Sequence, residues 1–128
     1  MKYVLAPLAG FTDAPFRRLC FEGGADLAYT EMVSAAGLSH GSSPTRQLME
    51  TMPGEGPVAC QLFGATESDL AYAARTVPAG RFVELNLNAG CPMTKVTREG
   101  AGAKLVEDPE KIHRLLKAMT ENTSLPAT

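Results

Sequence analysis

Four short runs rich in apolar residues, at 3–6, 27–30, 57–62 and 82–87, begin about 24 to 30 residues apart. That interval is the length of one strand–helix unit, and no other feature narrows the possible folds so far. The run Phe82-Val83-Glu84-Leu85-Asn86-Leu87 is apolar apart from single polar interruptions, which suits a buried parallel strand. Between the runs the patterning is helical. Thr12 or Asp13 caps a helix entered at Ala14-Pro15, with proline in the permitted first turn, and Gly23-Gly24 ends it. Phe16, Leu19 and Cys20 share one face of that helix, with Arg17, Arg18 and Glu22 elsewhere. Thr66 caps a helix to about Thr76, with Leu70, Ala73, Ala74 and Val77 inward. Asp108-Pro109 opens the last helix, whose Ile112, Leu115, Leu116 and Met119 form an apolar stripe. Residues 34–38 and 103–106 read as helical turns, and the stretch from Cys91 to Gly102 as a Gly- and charge-rich loop. Residues 40–56, rich in Ser, Pro and Gly, favour no single assignment; 45–51 fit either a helix or a short extended piece.

The order strand, helix, strand, helical connection, strand, helix, strand, helix amounts to four βα units. An eight-unit barrel takes about 250 residues. The expectation is therefore an α/β fold, a (β/α)8 TIM barrel of which residues 1–128 supply about the first four units. In this reading the chain is a truncated half barrel, stopping at Leu125-Pro126-Ala127-Thr128 where a fifth strand should start. A half barrel has two open sheet edges and is expected to self-associate through them.

Several function classes recede on composition. Twelve basic against 14 acidic side chains leave a formal charge of −2, which argues against binding polyanions through bulk charge but not against a local basic patch. Three cysteines, Cys20, Cys60 and Cys91, are an odd number at scattered spacing. They suit neither a disulfide framework nor a zinc site and make a reducing cytoplasm the default. No apolar run is long enough to span a bilayer, and the first residues lack a secretory pattern.

The chemistry concentrates at Asn88-Ala89-Gly90-Cys91-Pro92. Gly90 permits backbone shapes closed to other residues, while Pro92 lacks an N–H and restricts Cys91 before it. The fourth strand therefore ends here, presenting an amide and a thiol together where α/β proteins bind ligands. On residue type alone the thiol is open to use as nucleophile, metal ligand or acid, or simply as a small core hydrophobe.

Three peptides, in matching order and spacing, resemble the tRNA-dihydrouridine synthases. Ala6-Pro7-Leu8-Ala9-Gly10-Phe11-Thr12-Asp13-Ala14-Pro15-Phe16-Arg17 resembles the opening signature of that family, and Gln61-Leu62-Phe63-Gly64 its third-strand motif. Asn88-Ala89-Gly90-Cys91-Pro92, with Lys95-Val96 and Gly100-Ala101-Gly102-Ala103 after it, resembles its catalytic loop. The resemblance covers all 128 residues and implies a flavoprotein reducing the C5–C6 double bond of selected uridines in tRNA. FMN, itself reduced by NAD(P)H, gives hydride to C6, and a cysteine protonates C5. Cys91 matches that proton donor, a role for which a neutral thiol is suited. Asn88 matches an asparagine contacting flavin and target base, Gln61 a residue bonding the flavin ring, and Pro7, Leu8 and Ala9 the wall beneath that ring. Glu31 matches an acidic position near the site. Lys95, Arg98 and Lys104 flank the cysteine loop and are candidates for RNA phosphate contacts. Cys20, Cys60, Arg17 and Arg18 are read as structural or solvated. The resemblance also implies a phosphate anchor, a mid-barrel lysine and histidine, and a helical tRNA-gripping domain, all outside these residues. Two other readings are an FMN barrel acting on a free pyrimidine, of the dihydroorotate dehydrogenase type, and an inactive half barrel.

Overall fold

The computed structural model describes residues 1–128. Its elements are β1 (Val4–Leu5), α1 (Ala14–Glu22), β2 (Leu27–Tyr29), β3 (Val33–Ser34), α2 (Ala35–Ser39) and α3 (Ser43–Gln47). They continue with β4 (Val58–Phe63), α4 (Glu67–Thr76), β5 (Glu84–Leu87), α5 (Thr94–Arg98), a 3-10 helix (Gly102–Glu107) and α6 (Pro109–Thr120). All strand pairs are parallel. β1 pairs with β2, both β2 and β3 pair with β4, and β5 lies on the other side of β4. Since β2 and β3 occupy successive levels of one position, the sheet runs through four positions in sequence order. A doubly wound sheet would reverse direction partway; this one does not, which is the order of consecutive barrel strands. Past β5, Leu85 donates to the Pro126 carbonyl (2.8 Å), and Thr128 N–H donates to the Leu85 carbonyl (2.9 Å). Residues 126–128 thus start a fifth position, as expected.

Alternation along the strands separates two faces. Val58, Cys60 and Leu62 of β4 and Leu85 and Leu87 of β5 join the main core with Leu38, Leu70, Ala73, Leu105, Leu115 and Met119 from the helical layer. The intervening residues Gln61, Glu84 and Asn86 fall on the opposite, polar face. Local chemistry sets the helix starts. Asp13, rather than Thr12, accepts from Phe16 N–H (3.0 Å), and Asp108 accepts from Lys111 N–H (2.9 Å). Between α2 and α4, the hydroxyls of Thr66 and Ser39 each donate to an oxygen of Asp69 (both 2.7 Å). These two bonds, Thr66's first, hold the Asp69 carboxyl below its ordinary range.

Three expectations change. Arg17 is not on a solvated face: it is 1% exposed, and its guanidinium donates to Glu55 Oε1 and to the Thr12 and Glu50 carbonyls, each at 2.8 Å. With those acceptors a buried charge is tolerated, and the pair pins the irregular 50–56 segment against α1. On the same helix Leu19 is 64% exposed and Phe16 is exposed. Their face lies on the β1 side, where no further strand or helix of this chain covers it. Finally, the stretch after Cys91 is not all loop, since α5 occupies its middle.

Candidate active site

A single-residue irregularity organises the C-terminal end of the sheet. Partner numbers along β2–β4 differ by 30 (Ala28↔Val58, Tyr29↔Ala59), but along β3–β4 by 29 (Val33↔Leu62, Ser34↔Phe63). Thr30, Glu31 and Met32 therefore lie opposite only Cys60 and Gln61, a one-residue bulge. Its three side chains reach three different segments. The hydroxyl of Thr30, fully buried, accepts from Gln61 N–H (3.0 Å), which the displaced ladder leaves without a backbone partner. Glu31 Oε2 accepts from Gly10 N–H in the turn after β1. Met32 Sδ accepts from Asn88 Nδ2 (3.3 Å) beyond β5. One bulge thus fastens together all three peptides singled out in the sequence.

Gln61 and Asn88 meet directly. Asn88 Nδ2 donates to Gln61 Oε1 (3.0 Å), and Gln61 Nε2 donates to Asn86 Oδ1 (2.7 Å). Asn88 Oδ1 in turn accepts from the N–H groups of Gly90 (3.2 Å) and Cys91 (3.0 Å). The Cys91 carbonyl accepts from Ala103 N–H (2.9 Å), folding the start of the 3-10 helix back on the cysteine. Gly102, at φ +59°, is required there: a Cβ would lie 2.5 Å from the Cys91 oxygen and 2.8 Å from Val96 Cγ1. From α6, Lys111 Nζ donates to the Gly100 carbonyl (3.1 Å) and holds the far side of the loop. Cys91 is half-buried, bonded through its backbone on both sides.

The other cysteines differ. Cys60 is fully buried between sheet and helices, and burial pushes its thiol up to about 12. It is a core residue with no accessible thiolate. Cys20 lines a concavity of about 520 Å³ with Tyr3, Val4 and Leu5 on the uncovered β1 side, remote from this chemistry. No group of three His, Cys, Asp or Glu side chains is arranged to hold a metal ion.

The remaining sequence candidates fall around the same end. Pro7, Leu8 and Ala9 form a turn closed by Thr12, whose hydroxyl accepts from Leu8 N–H (3.1 Å). Leu8 is 48% exposed, so the turn offers an apolar surface to solvent. Lys95 and Arg98, one helical turn apart on α5, are exposed, and neither is in an ion pair; Lys104 is bonded to Glu107 (2.6 Å). Sequence reasoning missed the structural parts of the site: Thr30, Met32 and Asn86. Asn86 alone left a signal, since Glu84, Asn86 and Asn88 recur every second residue and must share a face.

A family model described as dihydrouridine synthase matches residues 4–128. The chain is 36% identical over 117 residues to "Probable tRNA-dihydrouridine synthase" of Treponema pallidum, covering 91% of this chain and 34% of that protein. It is 38% identical over 125 residues to the protein of the same name from Helicobacter pylori, covering 97% and 38%. With "tRNA-dihydrouridine synthase B" of Klebsiella pneumoniae it shares 35% over 128 residues, covering 99% and 40%. The chain therefore spans about a third to two fifths of the length of these relatives. Its sequential parallel βα units and this end-to-end match lead to one conclusion: the chain belongs to the dihydrouridine synthase family.

Proposed function

We propose that residues 1–128 are the N-terminal half of an FMN-dependent TIM-barrel domain. The complete protein, in this reading, reduces uridine to 5,6-dihydrouridine in tRNA, with Cys91 as general acid. The observation that carries the reading is the joining of Gln61, Asn88 and the Cys91 backbone by hydrogen bonds. They meet at the strand ends where barrel enzymes work. The residues present fit a flavin. Gln61 and Asn88 are amides that offer donor and acceptor side by side, as an imide edge requires. The exposed turn Pro7-Leu8-Ala9 provides small and apolar surface for a planar ring.

When bound, FMN reduced by NAD(P)H supplies hydride to uridine C6. The chain's own residues do the rest. Asn88 holds the Cys91 backbone, so the thiol is presented at a fixed height above the strand ends. Cys91 is held by its backbone N–H and carbonyl alone, and its Sγ, in no hydrogen bond within the chain, is left to donate. Its proton passes to C5 as negative charge develops there, the S–H bond breaks as the C5–H bond forms, and the thiolate is reprotonated from solvent. Lys95 and Arg98, free of ion pairs, meet the tRNA phosphates. No helix is long and apolar enough to cross a membrane, and a cytoplasmic location is proposed with the tRNA substrate.

In the full-length protein, Cys91→Ala should leave flavin reduction by NAD(P)H intact while lowering dihydrouridine formation by roughly 10²- to 10⁴-fold, the usual worth of a positioned acid. Stopped-flow absorbance of the flavin and nucleoside analysis of the tRNA read the two steps. Unchanged dihydrouridine formation would remove Cys91 from the mechanism. A second reading concerns the chain by itself. The loops after strands seven and eight, which hold phosphate in such barrels, lie outside residues 1–128. The isolated chain should therefore bind FMN weakly or not at all, and stoichiometric quenching of flavin fluorescence on titration would contradict this.

A further inference from the structure

The side chains on the polar face of the sheet form one hydrogen-bond chain, and every donor in it points the same way. Gly90 and Cys91 N–H donate to Asn88 Oδ1 (3.2 and 3.0 Å), and Asn88 Nδ2 donates to Gln61 Oε1 (3.0 Å). Gln61 Nε2 donates to Asn86 Oδ1 (2.7 Å), Asn86 Nδ2 to Thr128 Oγ1 (3.0 Å), and Thr128 Oγ1 to Glu84 Oε1 (3.3 Å). Tyr29 OH donates to the same carboxylate oxygen (3.1 Å).

A side-chain amide can turn either its accepting O or its donating NH₂ toward a given neighbour, and its hydrogen-bond partners decide which. Here the two ends remove that freedom. A backbone N–H can only donate, so Asn88 must turn its oxygen to Gly90 and Cys91. Its NH₂ then faces Gln61, which must answer with oxygen, and Gln61 turns its own NH₂ to Asn86. At the far end an ionised carboxylate can only accept, which draws the Thr128 and Tyr29 hydroxyls toward Glu84. The interior link, Asn86, satisfies both directions at once: an acceptor for Gln61 and a donor for Thr128.

We propose that Asn86 is a positioning residue for the Cys91 loop, fixing which atom of Gln61 and of Asn88 faces which neighbour. Without an acceptor at position 86, Gln61 gains nothing by keeping its NH₂ turned that way and can rotate. Asn88 Nδ2 then loses its oxygen acceptor and keeps only the weaker Met32 Sδ, and its hold on the Gly90 and Cys91 N–H groups loosens. Asn86 touches none of the reacting groups; it acts through two other side chains. Serial polarisation strengthens such a chain beyond isolated pairs.

The substitutions that separate this from a packing role are Asn86→Asp and Asn86→Ala. Aspartate still presents an oxygen to Gln61 and gives up only the donor toward Thr128; alanine gives up both. The measurement is amide hydrogen exchange by NMR in the ligand-free 128-residue chain. Cys91 and Gly90 N–H are the reporters, and Ala28 and Thr30 N–H, bonded to the Pro57 and Ala59 carbonyls on the other side of the sheet, are the fold controls. Alanine should speed exchange at the two reporters roughly three- to tenfold, the scale of one net hydrogen bond, while aspartate stays near the parent. Asn86→Leu, of nearly the same volume, serves if alanine disturbs the controls. Unchanged reporters in both apolar variants, or equal loosening by aspartate, would overturn the proposal. Because no flavin is present, this result is independent of whether the cofactor reading holds.

Discussion

At the scale of single residues, the cysteine loop rests on Gly102 as much as on Asn88. A methyl at position 102 meets the Cys91 carbonyl and the Val96 side chain well inside contact distance, in a left-handed backbone that side chains avoid. Adding left-handed strain to overpacking gives a cost of roughly 2–4 kcal/mol for Gly102→Ala. Gly90 is the immediate chain neighbour of Cys91, yet nothing is within 4 Å of its missing Cβ, so Gly90→Ala should change stability by under about 0.5 kcal/mol. Urea unfolding of the two variants checks the contrast. Cys91, Asn88 and Gln61 were legible in the sequence because residue type and neighbours mark them: a thiol and two amides at strand ends. Arg17 was not. Its acceptors at Glu50 and Glu55 are 33 and 38 residues away, and an arginine one turn into a helix gives no local sign of burial. The face of Asn86 was legible from its period-two spacing with Glu84 and Asn88, but its partner Gln61 was not, since it is across a strand pair and register is not written in one strand.

At the scale of elements, four strand positions and the helices between them follow from apolar periodicity, and all but one of the α-helices are capped by a side chain. The exception is α5, five residues long with no side-chain cap at Met93, which explains why it read as loop. The second strand also read as ending at Thr30, whereas the structure resumes it past the bulge as β3 (Val33–Ser34). A propensity pattern cannot locate an extra residue that only the partner strand reveals. Thr30 is the residue that makes this bulge tolerable, because its hydroxyl takes the place of a missing ladder acceptor for Gln61 N–H. Thr30→Val preserves shape and leaves that buried N–H unpaired, for an expected loss of about 1–3 kcal/mol. The same substitution should loosen exchange at Gln61 N–H more than at Cys60 N–H. Equal stability in chemical denaturation would mean the bulge supports itself without the hydroxyl.

At the scale of the molecule, one flank of the sheet is unlike the rest. Tyr3, Val4, Leu8, Phe11 and Leu19 are all about half exposed or more; Tyr3 and Val4 line the concavity with Cys20, Leu8 and Phe11 lie in the turn after β1, and Leu19 is on α1. Apolar surface of this kind next to an unpaired strand promotes association. The isolated chain should sediment as a concentration-dependent mixture of monomer and larger species, and a charge at the flank, Val4→Lys with Leu19→Lys, should restore the monomer. A monomer at all concentrations would show that the flank is inert. The sequential order of the sheet has a consequence for how the molecule comes into being. Val4 pairs 23 residues ahead, Ala28 pairs 30 ahead and Ala59 pairs 25 ahead, so each new strand meets a neighbour made only moments earlier. Parallel pairing is slow to form in general, but each of these pairings needs only one βα unit of chain, and domains assemble from the N-terminal side during synthesis. Such a sheet can grow rung by rung at the ribosome's exit, with the Cys91 loop closed once the chain as far as Lys111 has followed it.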